Sequence, residues 1–165
     1  SGSLRIQKLI SKSLDIGILR NVVSTLSRAN ISVNGFFMLG FPGETMDEMQ
    51  QTIQFACDLE LSTALFSLVI PNPGTELRDM VLEEGEVTNK SFSDYSITAV
   101  NSNASRVDPK VLVQLQKNAY RRFYFNPKRA WQIYRTTPSK RLLFSKFLSL
   151  LKLTSSWSRR LSYQS

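Results

Sequence analysis

The sequence of 165 residues has no histidine and a single cysteine, Cys57. The missing histidines and the lone thiol rule out an ordinary zinc site built by this chain. One thiol also excludes a disulfide framework and fits a reducing cytoplasm. An iron–sulfur cluster needs several converging thiolates, so this chain cannot hold one by itself. Cys57 reads as a small apolar residue on a helix. There is no run of about twenty apolar residues, so no segment spans a membrane as a helix. The amino terminus has no signal-peptide pattern. Acids are scarce in the last third: beyond residue 105 the only one is Asp108, against 14 Lys and Arg. Residues 1–105 carry 7 Lys and Arg against 12 Asp and Glu. The overall charge of +8 therefore hides a split of −5 and +13, which implies two regions with different surroundings.

What is present is concentrated in Gly35-Phe-Phe-Met-Leu-Gly-Phe-Pro-Gly-Glu-Thr45. Val33 to Leu39 is nearly all apolar, as expected of a strand covered on both faces. It runs straight into a Gly-Phe-Pro-Gly turn. Gly40 and Gly43 let backbone approach a ligand closely, and Pro42 stiffens the turn between them. Thr45 and Glu48 have capping-box spacing, so a helix should start at Met46. In α/β proteins, small-molecule sites form at the carboxyl ends of parallel strands. A well-made βα turn without a ligand has the same pattern.

The flanking residues extend this unit. Leu4 to Ser11 reads as a short helix. Ile18, Leu19, Val22, Val23 and Leu26 give Asp15–Arg28 helical spacing, with Asn30 as a left-handed cap. Ile31 to Gly40 is a strand. Met46 to Leu59 is a helix with Met49, Ile53, Ala56 and Cys57 facing inward. Ala64 to Ile70 is a second buried strand, and Thr75 caps a short helix to about Glu84. Two strands joined by a full-length helix must be parallel, with a right-handed crossover. Their turns, at Phe41 and Pro71, then open on one edge and form one site. Beyond a polar linker, Asp108-Pro109, Asn126-Pro127 and Thr137-Pro138 each start a helix.

The ordered series Ser1-Gly-Ser3, Gly40-Phe-Pro-Gly-Glu-Thr45 and Pro71-Asn-Pro-Gly-Thr75 resembles the C-terminal half of the radical S-adenosylmethionine enzymes. It looks most like the branch whose members often carry an N-terminal cobalamin-binding domain. In that family Glu-Ser-Gly-Ser ends the fourth barrel strand, Gly-(Leu/Phe)-Pro-Gly-Glu-Thr follows the fifth, and Pro-x-Pro-Gly-Thr follows the sixth. Arg121-Arg-Phe-Tyr-Phe-Asn-Pro127 is similar to the family's Arg-Phe-Tyr-x-Arg-Pro segment, with Asn126 in place of Arg.

The resemblance implies an α/β chain. Residues 1–85 would be the C-terminal part of a partial parallel (β/α) TIM-like barrel, and 86–107 a linker. The charge split and helix-start signals, not the resemblance, make residues 108–153 a mainly helical basic extension, and the Ser- and Arg-rich 154–165 a disordered tail. The resemblance also implies that S-adenosylmethionine lies across the strand ends. Met38, Leu39, Gly40 and Phe41 would supply an apolar wall and free backbone groups to the adenine, with Ile70 and Pro71 on the other side. Ser1 and Ser3 match a ribose- and carboxylate-contacting segment, and Lys12 a basic position that would pair with the methionyl carboxylate. Lys12 also reads as a solvated surface lysine. Glu44 also reads as an acid at a helix start, favoured there by the helix dipole alone. The family's Cys-x3-Cys-x2-Cys motif, which holds a 4Fe–4S cluster, is absent. The expectation is therefore a truncated chain, inactive alone, whose partner is the missing N-terminal half of the same barrel. The implied chemistry is reductive cleavage of S-adenosylmethionine on a small-molecule substrate. Cobalamin is a candidate cofactor for methyl transfer.

A different class of function centres on the basic end. Arg121, Arg122, Lys128 and Arg129 alternate with Phe123, Tyr124, Phe125 and Trp131, a pattern that can bind nucleic acid by phosphate contacts and stacking. A helical layer with its aromatics packed inward and its charges in water has the same pattern. Residues 138–153 form a basic amphipathic stretch that suits the surface of an anionic bilayer. That stretch adds a peripheral membrane location to the cytoplasmic expectation.

Overall fold

The computed structural model describes residues 1–12, 14–72, 74–83, 105 and 107–136. The linker, the stretch 138–153 and the tail 154–165 thus lie wholly or largely outside the described residues. The described elements run α1 (Leu4–Leu9), α2 (Ile16–Arg28), β1 (Asn34–Leu39), α3 (Met46–Asp58), β2 (Thr63–Leu68), α4 (Glu76–Glu83), α5 (Pro109–Tyr124) and α6 (Pro127–Thr136). The class is α/β. β1 and β2 pair in parallel, with Phe37 opposite Phe66 and Leu39 opposite Leu68. The first strand is shorter than the expected Ile31 to Gly40. The ladder begins only where Thr63 comes opposite Asn34, and the Ile31 N–H closes α2 on Leu26 instead.

The helix starts follow local chemistry. Asp15 caps α2 through the Ile18 N–H, and Asp108 caps α5 through the Lys110 N–H, with Pro109 in the first turn. Thr45 and Glu48 complete the expected capping box, and α3 begins at Met46. Asn30 adopts the left-handed conformation after α2, with φ 59°. On α2, however, Val23 is buried while Ile18 is 63% and Val22 48% exposed. The inward stripe is Ile16, Leu19 and Val23.

The core lies on one side of the sheet. Phe37, Leu39, Phe66 and Leu68 point into it. They meet Met49, Ile53 and Ala56 of α3 and Leu112, Leu115, Ala119 and Phe123 of α5. Phe66, 0% exposed, stacks on Phe37 at 5.4 Å and meets Tyr120 and Phe123 edge-on. Full burial of such a ring contributes roughly 1.5–3 kcal/mol. The basic part of the chain is therefore, through α5, part of the same core as the sheet. The other face of the sheet is open among the described residues. Phe36 is 77%, Met38 43% and Leu65 42% exposed. The expectation of a strand covered on both faces holds for one face only, because α3 and α5 lie on the same side.

α5 also ends the sheet. In a parallel ladder, alternate residues turn both backbone groups to the same side. Ala64 and Phe66 turn theirs away from β1. The Tyr124 hydroxyl accepts from the Ala64 N–H at 3.2 Å and donates to its C=O at 3.0 Å. The Tyr120 hydroxyl does the same for Phe66, at 3.1 and 3.2 Å, and the Gln116 amide donates to the Phe66 C=O at 2.7 Å. Side chains spaced by four on one helix face thus take the place of a third strand. Such an edge, left bare, invites pairing with other chains.

Arg129 on α6 ties the opposite end of the unit. Its guanidinium donates to the carbonyls of Leu61 at 2.6 Å and Cys57 at 2.8 Å, and lies 4.3 Å from the centre of the Phe123 ring. Burial lowers its pKa from the ordinary value. The sequence pattern had set Arg129 among solvent-facing cations; it is 5% exposed and closes the last turn of α3.

Candidate functional site

The parallel register brings the two turns together. Leu39 and Leu68 end level, and the Val69 N–H donates to the Leu39 C=O at 2.9 Å. Gly40-to-Thr45 and Val69-to-Thr75 therefore leave the sheet on the same edge. Gly40 has φ +90° and Gly43 φ +63°, both in the region that disfavours side chains. A Cβ at Gly40 would lie 3.7 Å from Leu112 and 3.8 Å from Ser105, at ordinary contact distance. Backbone conformation, not lack of space, calls for glycine there.

Glu44 organises this turn. Its Oε2 accepts from the Gly40 N–H at 2.6 Å and the Phe41 N–H at 3.0 Å. The residue is 2% exposed, and its Oε1 is buried without a hydrogen-bond partner among the described residues. Burial raises its pKa, against the pull of the two amides. Glu44 thus folds back onto the turn and is more than a dipole partner of α3. Of the free backbone groups expected from Met38 to Phe41, the Gly40 and Phe41 amides are therefore not free. Both amides are occupied, since a buried N–H without an acceptor is costly. No signal in the sequence separates an acid that folds back from one that faces water.

The N-terminal segment packs beside the turn. The Ser1 hydroxyl lies 3.2 Å from the Thr52 hydroxyl and accepts from the Ser3 N–H at 3.1 Å. Ser3 caps α1 by accepting from the Ile6 N–H, and donates to Glu48 Oε1 at 2.9 Å. Arg5 reaches the same carboxylate with two bonds, of 2.8 and 2.6 Å, and also donates to the Gly43 C=O at 2.7 Å. With these partners, Arg5 foremost, the Glu48 pKa falls to about 2. The capping box was legible; Arg5, 43 residues away in sequence, was not.

The expected site residues therefore divide. Gly40, Phe41, Ile70 and Pro71 line up on the shared edge, with Ser1 and Ser3 tied to α3 beside it. Leu39 is 0% exposed in the main core. Phe41 belongs to a second core with Ile6, Val69 and Val81. Pro71 is buried, and Ile70 half-buried. Lys12 is exposed. Met38 lies on the open face, opposite Ser67 of β2. Ser67 went unremarked in the sequence, although strand alternation from Phe66 puts it on that face.

No described group of His, Cys, Asp and Glu side chains could hold a metal ion. Cys57, half-buried with its pKa raised by burial, sits at the far end of α3 from the turn. A 4Fe–4S cluster does not fit the residues of this chain. Near the strand ends, Met38, Ser67 and Ile70 keep exposed or half-buried side-chain surface. No described helix is long and apolar enough to cross a membrane.

No family model matches the chain. It is similar to an uncharacterised methyltransferase of Pyrococcus horikoshii, 28% identical over 128 residues, or 78% of this chain and 28% of that one. It is also similar to tRNA-2-methylthio-N(6)-dimethylallyladenosine synthases. That of Buchnera aphidicola is 35% identical over 86 residues, covering 49% of this chain and 19% of the relative. That of Yersinia pestis is 24% identical over 119 residues, 71% of this chain and 25% of the relative. The chain thus spans about a quarter of the length of these curated relatives.

Proposed function

We propose that the chain is a piece of a radical S-adenosylmethionine enzyme, from the carboxyl half of a partial (β/α) barrel, and serves a methyl- or methylthio-transfer reaction. One observation carries the reading. Of the three segments that the family resemblance assigns to one site, Gly40–Thr45 and Pro71–Thr75 follow strands that end level, and Ser1–Ser3 is held beside them by bonds from Gly2 and Ser3 to Thr52 and Glu48 of α3, with Arg5 reaching the Gly43 C=O. The names of the relatives support the transfer chemistry. In such enzymes a 4Fe–4S cluster would supply the electron for cleaving S-adenosylmethionine, and the one thiol of this chain, Cys57, cannot hold such a cluster. What these residues supply is a wall for the nucleoside and a turn held rigid by Glu44. Cobalamin-dependent methyl transfer is the finer reading, supported by the likeness of the turn motifs alone.

The test uses the parent protein, reconstituted with iron and sulfide without oxygen. Met38→Asp should weaken S-adenosylmethionine binding at least tenfold by isothermal titration while leaving the visible absorbance of the cluster unchanged. Met38 is 43% exposed, so its replacement leaves the core intact. A parent with no Cys-x3-Cys-x2-Cys, or unchanged binding in that variant, would overturn the assignment.

A further inference from the structure

The basic end of the chain carries two large aromatic rings that are mostly exposed. Phe125, at the elbow between α5 and α6, is 76% exposed, and Trp131 on α6 is 61% exposed. An inward-packed aromatic layer accounts for Phe123 and for the half-buried Tyr120 and Tyr124, which bond to β2, but not for these two. The orientation of α6 is settled by its contacts. Arg129 bonds to Leu61 and Cys57, and Gln132 to Ser27 and Glu60. Helical geometry turns Trp131 to the opposite face, with Lys128 and Arg135 along its border. The Arg135 guanidinium lies 5.3 Å from the centre of the Trp131 ring. Arg121 is exposed one turn before Phe125. From Pro109 to Thr136 there are seven Lys and Arg and no acid, so nothing within these two helices neutralises the surface.

We propose that the α5–α6 elbow and the outer face of α6 bind single-stranded RNA. Trp131 and Phe125 offer ring faces on which bases stack. Lys128, Arg121 and Arg135 hold the phosphates. The chemistry favours a single strand. Exposed flat rings gain from unstacked bases, which a duplex does not present, and any base can use them. A cationic rim without rings would serve any polyanion. The surface is separate from the strand-end site, so the proposal does not depend on the presence of S-adenosylmethionine chemistry.

The test measures binding of the full 165-residue chain to a fluorescein-labelled, mixed-sequence 12-nucleotide RNA by anisotropy across salt concentrations. The comparisons are a 12-base-pair RNA duplex and vesicles of neutral and of anionic phospholipid. The expected result is tighter binding of the single strand than of the duplex, weakening steeply with salt. Trp131→Ala should lower affinity about 5- to 100-fold, the usual effect of losing one stacking ring. Trp131→Phe should restore much of it. Lys128→Gln should instead reduce the salt slope by about one unit and leave the preference for single strand. Far-ultraviolet circular dichroism of each variant should match the wild type, because both side chains are exposed. No RNA binding at low salt, or equal affinity of wild type and Trp131→Ala, overturns the proposal. So does binding to anionic vesicles but not to RNA, which would make this a membrane-contacting face.

Discussion

Removing the hydroxyl of Tyr124 should destabilise the chain more than removing that of Tyr120, although both tyrosines sit on one helix face. Tyr124 alone satisfies both backbone groups of Ala64. Tyr120 shares its task, since Gln116 also donates to the Phe66 C=O. Tyr124→Phe leaves an N–H and a C=O without partners, while Tyr120→Phe leaves only an N–H. A buried polar group without a partner costs about 1–3 kcal/mol. Both tyrosines are half-buried, so water relieves part of this. The expected losses are about 2 kcal/mol for Tyr124→Phe and about 1 kcal/mol for Tyr120→Phe. Urea unfolding followed by circular dichroism measures the totals. Amide exchange locates them, with faster exchange at Ala64 in the first variant and at Phe66 in the second. Equal losses, or a larger loss for Tyr120→Phe, would refute the view that α5 stands in for a strand.

Gly40→Val should destabilise by about 1–3 kcal/mol through backbone strain at φ +90°, and lower the melting temperature in scanning calorimetry even with no ligand present. An effect seen only with nucleoside would point to a steric role instead. Glu48, with its pKa lowered to about 2 from 4.5, should contribute stability above pH 4.5 that is lost as pH falls toward 2. Glu48→Gln should flatten that acid limb in a series of urea titrations. Glu44 has the opposite sign: its raised pKa makes the native state bind the proton more tightly, so its contribution declines as pH rises above 4.5. Glu44→Gln should therefore be tolerated at pH 7, whereas Glu44→Ala should lose about 2 kcal/mol by stranding two amides, as thermal melts would show. Phe36→Lys should reduce self-association of the isolated chain in light scattering without changing its circular dichroism, because Phe36 is 77% exposed on the open sheet face. Unchanged association would mean that the open face is not what sticks.

Local order was legible in this sequence because its signals act over a few residues. Thr45 and Glu48, Asp108 and Pro109, and Asn30 each mark a helix boundary by chemistry within one turn. Apolar runs and the crossover length were enough to make β1 and β2 parallel neighbours, and parallel neighbours must end on one edge. That is why the candidate site could be located on Gly40 to Thr45 and Pro71 before any contact was known. Contacts between distant residues were not legible. Which face of β2 is covered depends on α5, whose Gln116 reaches Phe66 from 50 residues away. Arg129 reads as a surface cation until α6 places it over the carbonyls at the end of α3. Glu44 and Glu48 lie four residues apart and look alike in sequence. Tertiary packing buries one with an oxygen unpartnered among the described residues and a raised pKa, and gives the other an arginine, two hydroxyls and an amide that drive its pKa down. By itself the sequence determined the elements and their order. Only the tertiary structure decided which polar groups lose water and which partners replace it, because desolvation depends on all the chain that surrounds a group.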